Sequence, residues 1–332
     1  RRTFGREESI ERRQNYQEAR ELMDWANQLE TRVLEQILES AQVITCTLIG
    51  AADKVLTNKK FRTVIIDEAA QALEPATWVP ILKASRVVLT GDPFQLPPTV
   101  KSRKAAKQGL EITLIEKAIN TIKPIFLLDT QYRMHQTIMG FSNEHFYQGK
   151  LKADTSVADR QLPIENNDPL IFIDTAGCGF EEKTHHAYKS RYNPDEFQIL
   201  CEHLQLLIKS YAGIDLPAIA IISPYREQVM HMQDIIDNDP TFSDLPIAVN
   251  TIDGFQGQEK DVVYISLVRS NSKGEIGFLK DYRRINVAMT RAKQQLIIVG
   301  DSATIGADEF YMDLLAYCEA FGTYQTAWEY MA

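Results

Sequence analysis

Two adjacent carboxylates, Asp67 and Glu68, end the apolar run Thr63-Val64-Ile65-Ile66 in the stretch FRTVIIDEAAQ. A strand that delivers such a pair into a turn can hold Mg²⁺ with one carboxylate and orient an attacking water with the other, as phosphoryl transfer requires. The same chemistry needs a loop that cradles phosphates, G-x-x-x-x-G-K-[S/T]. That string occurs nowhere in the 332 residues. Taken alone, an Asp-Glu pair after a strand is equally a solvated loop end.

Four further segments carry polar residues in patterns that plain connections lack. RVVLTGDPFQLPP (86–98) is a second strand ending in a Gly-Asp turn. Gly91 permits the turn, Gln95 can donate and accept, and Pro93, Pro97 and Pro98 stiffen the segment. Parallel strands open their ligand sites at their carboxyl ends, so both carboxylate turns are expected on one rim. LLDTQYRMH (127–135) places Tyr132 and Arg133 just past an apolar run. NTIDGFQGQEKDVVYISLVRS (250–270) brackets Phe255-Gln256 with Gly254 and Gly257 before entering a strand. DYRRINVAMTRAKQQLIIVG (281–300) sets Arg283, Arg284, Arg291 and Lys293 around a short helix. Lys101, Arg103, Lys104 and Lys107 form a local basic run, which a solvated helix face would also produce.

The elements that must position these residues alternate. Nine short runs rich in Val and Ile lie at 43–47, 63–67, 86–90, 125–129, 170–174, 218–223, 247–251, 262–268 and 296–300. They are nearly continuous in apolar character, as strands covered on both faces are. Helical patterns separate most of them, which predicts a parallel α/β fold in two sheets. The division is expected near Lys123-Pro124, after a helix at 111–122. Residues 7–39 read as one long helix or two short ones, with Leu22, Trp25, Leu29, Val33 and Ile37 on one face that needs a partner. The polar stretch 175–192 reads as a surface excursion, and Asn193-Pro194-Asp195-Glu196 after it as a helix start.

Composition narrows the class. No apolar run approaches the roughly 18–20 residues of a membrane span. Four scattered cysteines without a C-x-x-C pair argue against disulfides and zinc and fit a reducing, cytoplasmic setting. A net charge of −9 argues against coating nucleic acid by bulk charge, though not against a narrow basic groove. The chain opens on Arg1-Arg2, which points to a cut from a longer protein.

Together and in this order, DEAAQ, GDPFQLPP, QYRMH, TIDGFQGQEKD and NVAMTRA resemble the superfamily 1 helicases of the up-frameshift type, the group that includes senataxin. VITCTLIGAAD (43–53) and KSRKAAKQGL (101–110) are similar to it as well, and the resemblance spans about residues 40–300. It implies two RecA-like domains with ATP between them: an incomplete first domain at 1–124, lacking the phosphate loop, and a second at 125–332. Asp67 would bind Mg²⁺, Glu68 would activate water, and Gln95 would sense the γ-phosphate. Arg133 and Arg291 would contact that phosphate as arginine fingers. Tyr132, Gly257 and Glu259 would contact the nucleotide, Tyr132 at the adenine and Glu259 at the ribose. Single-stranded RNA or DNA would run over Thr47, Lys101, Arg103 and Lys104 in the first domain, and over Ser223, Pro224, Tyr225, Thr251 and Arg269 in the second. The implied activity is ATP-driven translocation, with this chain by itself inactive for want of the phosphate loop. The alternative is a non-hydrolysing scaffold that binds nucleic acid or protein. No carboxylate cluster supports a nuclease.

Overall fold

A computed structural model describes residues 6–186 and 189–331. The chain divides into two compact units: one runs to Gly91 and takes in Thr99–Ile115, the other comprises Asp92–Pro98 and Glu116 onward.

The first unit opens with a 35-residue helix, α1 (Arg6–Ser40). Its apolar stripe is bare: Leu22 is 58% and Trp25 60% exposed. Strand β1 (Phe61–Ile66) leads through the carboxylate turn to helix α2 (Glu74–Ile81) and then to β2 (Ala84–Leu89), which pairs parallel to β1 with Ile65 opposite Val88. Among the described residues this sheet has two strands. Ile65 remains 66% exposed, so the sheet falls short of the covered, several-stranded form that is stable alone. The run 43–47, expected as a strand, has no ladder partner among the described residues, and Val43 is exposed. An apolar run of this length becomes a strand only where a neighbour supplies the hydrogen bonds.

Leu114–Thr121 forms helix α3, close to the helix expected at 111–122. The second unit is built on six parallel strands: β3 (Leu170–Asp174), β4 (Ile219–Ser223), β5 (Ile247–Thr251), β6 (Lys260–Ser266), β7 (Ala292–Gly300) and β8 (Thr323–Thr326). Their spatial order is β8-β3-β7-β6-β4-β5. The longer helices that accompany them are α4 (Gln136–Tyr147), α5 (Pro194–Ser210), α6 (Arg226–Asn238), α7 (Tyr282–Met289) and α8 (Glu309–Phe321). Alternate strand residues feed two cores. Phe172, Ile222, Val263, Ile265 and Ile298 face the side of α4, α7 and α8. Ile173, Ile221, Val262, Tyr264 and Ile297 face the side of α5 and α6. With both faces covered, β3, β4, β6 and β7 are buried along most of their length, and this is why their runs are apolar almost without interruption.

The chain therefore forms the expected α/β parallel-sheet class. The run 125–129, expected as a strand, makes no ladder with any described residue, and Phe126 and Leu128 are largely exposed. Thr130–Gln131 just after it pairs parallel to Lys152–Ala153. Residues 92–98 group with the second unit through specific contacts. Tyr147 Oη donates to Asp92 Oδ2 (2.5 Å), Asn286 Nδ2 donates to the Phe94 carbonyl (2.8 Å), and Leu96 is buried in the second unit's core. Burial, then Asp92, pushes the Tyr147 pKa far up, so this phenol stays protonated and keeps donating.

Candidate nucleotide and nucleic-acid sites

In the first unit the carboxylate turn lies at the carboxyl end of β1. Asp67 Oδ1 accepts from Thr90 Oγ1 (2.6 Å) and from the Glu68 amide (3.1 Å). Glu68 adopts left-handed backbone angles, φ 51° and ψ 38°, and its Oε2 accepts from Gln71 Nε2 (2.7 Å). A non-glycine residue in this region is held there by its surroundings, and such conformations gather at functional sites. The surroundings are visible: the Ala69 amide donates to the Thr90 carbonyl (2.8 Å), stitching the two turns together. Gly91 has φ +150°, and a Cβ on it would lie 3.0 Å from the amide nitrogens of both Ala69 and Ala70. Gly91→Ala is accordingly expected to strain the turn by about 1–3 kcal/mol, read as a lowered melting temperature. An unchanged melting temperature would contradict this account of the close approach.

Asp67 is one exposed hard-oxygen donor beside a hydroxyl, and among the described residues no trio of His, Cys, Asp or Glu could hold a metal. This set fits Mg²⁺, which keeps several waters and is anchored by one or two carboxylates plus substrate phosphates. The basic residues Lys101, Arg103 and Lys104 are exposed, with Ser102 capping the turn Arg103–Ala105. Thr47 Oγ1 accepts from the Gly50 amide (3.0 Å) and so starts the next turn.

In the second unit, Arg133, Glu259, Arg291 and Lys293 gather at the amino ends of β6 and β7. Arg133 Nε donates to Glu259 Oε2 (2.6 Å), and Lys293 Nζ reaches Glu259 Oε1 (3.3 Å). The hydrogen bond from Arg133, with Lys293 adding to it, holds the Glu259 carboxyl below its ordinary pKa. Gln131 shapes the turn that presents Arg133: its Oε1 accepts from the amides of Arg133 and Met134, both at 2.8 Å. Arg291 is buried, its Nε donating to the Val287 carbonyl (2.9 Å) and its Nη1 to the Gln258 carbonyl (3.3 Å). Tyr132 stands 67% exposed, offering an open aromatic face. Gly257 turns at φ +73° with open space where a Cβ would be. Gln95 Nε2 donates to Asp92 Oδ2 (2.9 Å), in the segment whose Phe94 carbonyl is held by Asn286 of α7. In sequence Lys293 is one of several neighbouring cations, and the Lys-Gln-Gln start of a strand carries no signal that it is the second partner of Glu259.

The nucleic-acid candidates of this unit lie at the opposite, carboxyl ends of the strands. Ser223 ends β4 and Thr251 ends β5, where Thr251 Oγ1 accepts from the Gly254 amide (3.3 Å). Pro224 is half-buried. Ser223, Tyr225 and Arg269 are buried, their side chains committed inside the fold. Arg269 Nε donates to Glu182 Oε2 (2.6 Å), Arg191 binds the other oxygen of Glu182, and Arg269 Nη1 reaches Tyr225 Oη (3.5 Å). Glu182 comes from the polar stretch 175–192, which its composition marks as plain surface. Its side chain is only 5% exposed, and the Ser270 amide also donates to it (3.1 Å).

Helix α7 connects the two rims of this unit. It begins at Tyr282, beside the carboxyl-end loops, and ends at Met289, two residues before Arg291.

Residues 110–303 match a protein-family profile described as an AAA domain, and residues 1–103 match a second profile with the same description. The chain belongs to this family, among the superfamily 1 helicases of the up-frameshift and senataxin type. It is 39% identical over 316 residues to the DNA-binding protein SMUBP-2 of Mesocricetus auratus, covering 91% of this chain and 31% of that relative. It is 38% identical over 323 residues to the DNA polymerase alpha-associated DNA helicase A of Saccharomyces cerevisiae, covering 88% of this chain and 47% of the relative. Helicase sen1 of Schizosaccharomyces pombe is 36% identical over 300 residues, covering 86% of this chain and 17% of the relative. The chain thus spans less than half the length of each of these relatives.

Proposed function

We propose that this chain carries the water-activating side and the second RecA-like domain of an ATP-dependent motor that moves on single-stranded nucleic acid. The observation that carries the reading is the separation of two chemistries within one sheet. Arg133, Glu259, Arg291 and Lys293 gather at the amino ends of β6 and β7, while the expected nucleic-acid loops gather at the carboxyl ends. The short helix α7 joins the two, so a shift at one rim has a direct route through packed side chains to the other.

In this reading Asp67 anchors Mg²⁺, Glu68 orients the attacking water and accepts its proton, and Gln95 reads the terminal phosphate. Arg133 and Arg291 neutralise charge that develops on the transferred phosphoryl group. Mg²⁺ held by Asp67 would supply positive charge to offset that of the phosphates. Tyr132 offers a face for the adenine, and Glu259, held ionised by Arg133 and Lys293, can accept from ribose hydroxyls. Thr47, Lys101, Arg103 and Lys104 serve the strand in the first domain, and the loops at Ser223, Pro224, Thr251 and Arg269 serve it in the second. The buried ion pair of Arg269 with Glu182 makes Arg269 a shaper of its loop. Residues 1–124 and 125–332 are the proposed domains. Among the described residues no helix is long and apolar enough to cross a membrane. Four scattered cysteines without a C-x-x-C pair support a reducing cytoplasm as the setting.

The names of the relatives speak of DNA binding and helicase activity, which supports the motor over the scaffold. The test is ATP hydrolysis by a longer chain that supplies G-x-x-x-x-G-K-[S/T]. Turnover is expected to rise on adding single-stranded RNA or DNA, with nucleic-acid affinity falling steeply as salt increases. A rate indifferent to every RNA and DNA tried would favour the scaffold. This chain without that loop is expected to hydrolyse ATP at background.

A further inference from the structure

Tyr225 is the aromatic residue among the nucleic-acid contacts that the family resemblance implies at the carboxyl-end rim, yet it is only 3% exposed. Phe278 presents an aromatic face to solvent there and is 67% exposed. The two rings pack with centroids 5.8 Å apart and planes tilted by 58°, so Tyr225 supports Phe278 from beneath. Tyr225 is fixed in turn through its hydroxyl, which lies 3.5 Å from Arg269 Nη1 and 3.5 Å from the Ile276 carbonyl.

The backbone under Phe278 is also built. Gly277 turns at φ +56°, and a Cβ there would collide with the guanidinium of Arg269. Arg269 Nη2 is buried without a hydrogen-bond partner among the described residues. An open cavity of about 540 Å³ adjoins this turn, lined by Phe146, Gly277, Phe278, Lys280, Asp281 and Arg283 among others. Lys280 is exposed, whereas the Asp281 carboxylate is taken up by Arg284 (3.0 Å) and Arg283 is paired with Glu116 (3.2 Å). An apolar ring with one exposed ammonium two residues away complements a base with its phosphate, because stacking and a point charge together need no sequence-specific donor.

We propose that Phe278 is a base-stacking platform for one nucleotide of a bound single strand, with Lys280 on the adjoining phosphate. This rests on the reading that the carboxyl-end rim binds nucleic acid, and it replaces Tyr225 as the stacking residue. Tyr225, Gly277 and Arg269 hold the platform in place.

The test uses the whole 332-residue chain and a fluorescein-labelled oligothymidylate, with affinity read by anisotropy across a salt series. Phe278→Ala and Phe278→Leu are expected to weaken binding roughly tenfold or more, since each removes the π-face while Leu keeps an apolar group against Tyr225. Phe278→Trp is expected to bind within about threefold of the unaltered chain, because indole presents a larger face. Lys280→Ala is expected to lower the slope of log affinity against log salt by about one contact. An unchanged slope would remove Lys280 from the phosphate. Melting temperatures report folding for every variant, and the Leu variant decides if the Ala variant melts early. Unaltered affinity in both the Ala and Leu variants would overturn the platform alone and leave nucleic-acid binding by the rim standing. Failure of the unaltered chain to bind the oligonucleotide at all would overturn both.

Discussion

Glu68→Gln, placed in a longer chain that supplies the phosphate loop, is expected to leave ATP binding intact and to slow turnover by about 10²–10⁴-fold, the usual reach of a positioned base. The amide matches the carboxylate in size and keeps an oxygen that can accept from Gln71, whose Nε2 lies 2.7 Å from Glu68 Oε2. It cannot take a proton from water. The left-handed backbone at Glu68 is framed by the hydrogen bonds that Asp67 accepts from the Glu68 amide and from Thr90, and not by the Glu68 side chain, so the turn should keep its form. Nucleotide affinity by equilibrium binding and turnover by phosphate release separate the two effects. Wild-type turnover in the Gln variant would show that Glu68 does not activate water. Lost nucleotide affinity would show that its role is structural.

Strand periodicity makes much of the second unit legible in advance. Runs such as 262–268 and 296–300 are apolar on both faces because helices cover both sides of the sheet, and that covering lies within the same chain. The runs at 43–47 and 125–129 look the same in sequence but form no ladder, since pairing depends on a neighbour that the run itself does not encode. The motif residues Arg133 and Glu259 read separately, as a finger and a ribose contact, and the fold joins them at 2.6 Å across 126 positions of sequence. Such a pairing has no local signature. Burial is the hardest property to read. Tyr225 and Arg269 carry polar groups that sequence alone would leave at the surface, and their contacts with Phe278 and Glu182 go with their burial. Phe278 is the converse, an aromatic residue that a hydropathy pattern would assign to the core.

Glu196 is the sharpest instance, and it carries the second large expected effect. In sequence it reads as the third residue of a capped helix, and the cap is real: Asn193 Oδ1 accepts from the Glu196 amide at 3.1 Å. Its side chain, however, is fully buried. It accepts from Ser266 Oγ (2.6 Å) and from the Val268 amide, at 3.0 Å to each carboxyl oxygen. Val268 has φ +71°, a conformation that a β-branched residue adopts only when its surroundings compel it. Glu196 is therefore the anchor that holds the strained start of the 268–271 loop, which continues into Arg269. Glu196→Ala leaves the Val268 amide and the Ser266 hydroxyl without their acceptor and opens a cavity beneath them. A loss of about 2–4 kcal/mol is expected, seen as a lower midpoint in denaturant at an unchanged slope. Glu196→Gln keeps the shape and one acceptor oxygen and should lose less. Burial raises the Glu196 pKa to about 8, outweighing the opposing hydrogen bonds from Ser266 and Val268. In the unfolded chain the group titrates at about pH 4.3. Between those values the folded state binds the extra proton, so the contribution of Glu196 to stability falls as pH rises from about 4.3 to about 8 and then levels off. Denaturation midpoints of the unaltered chain and of Glu196→Gln, measured from about pH 5 to about pH 9, should diverge in slope, with the Gln variant losing less stability on the alkaline side. Parallel pH profiles would show that Glu196 does not carry this proton.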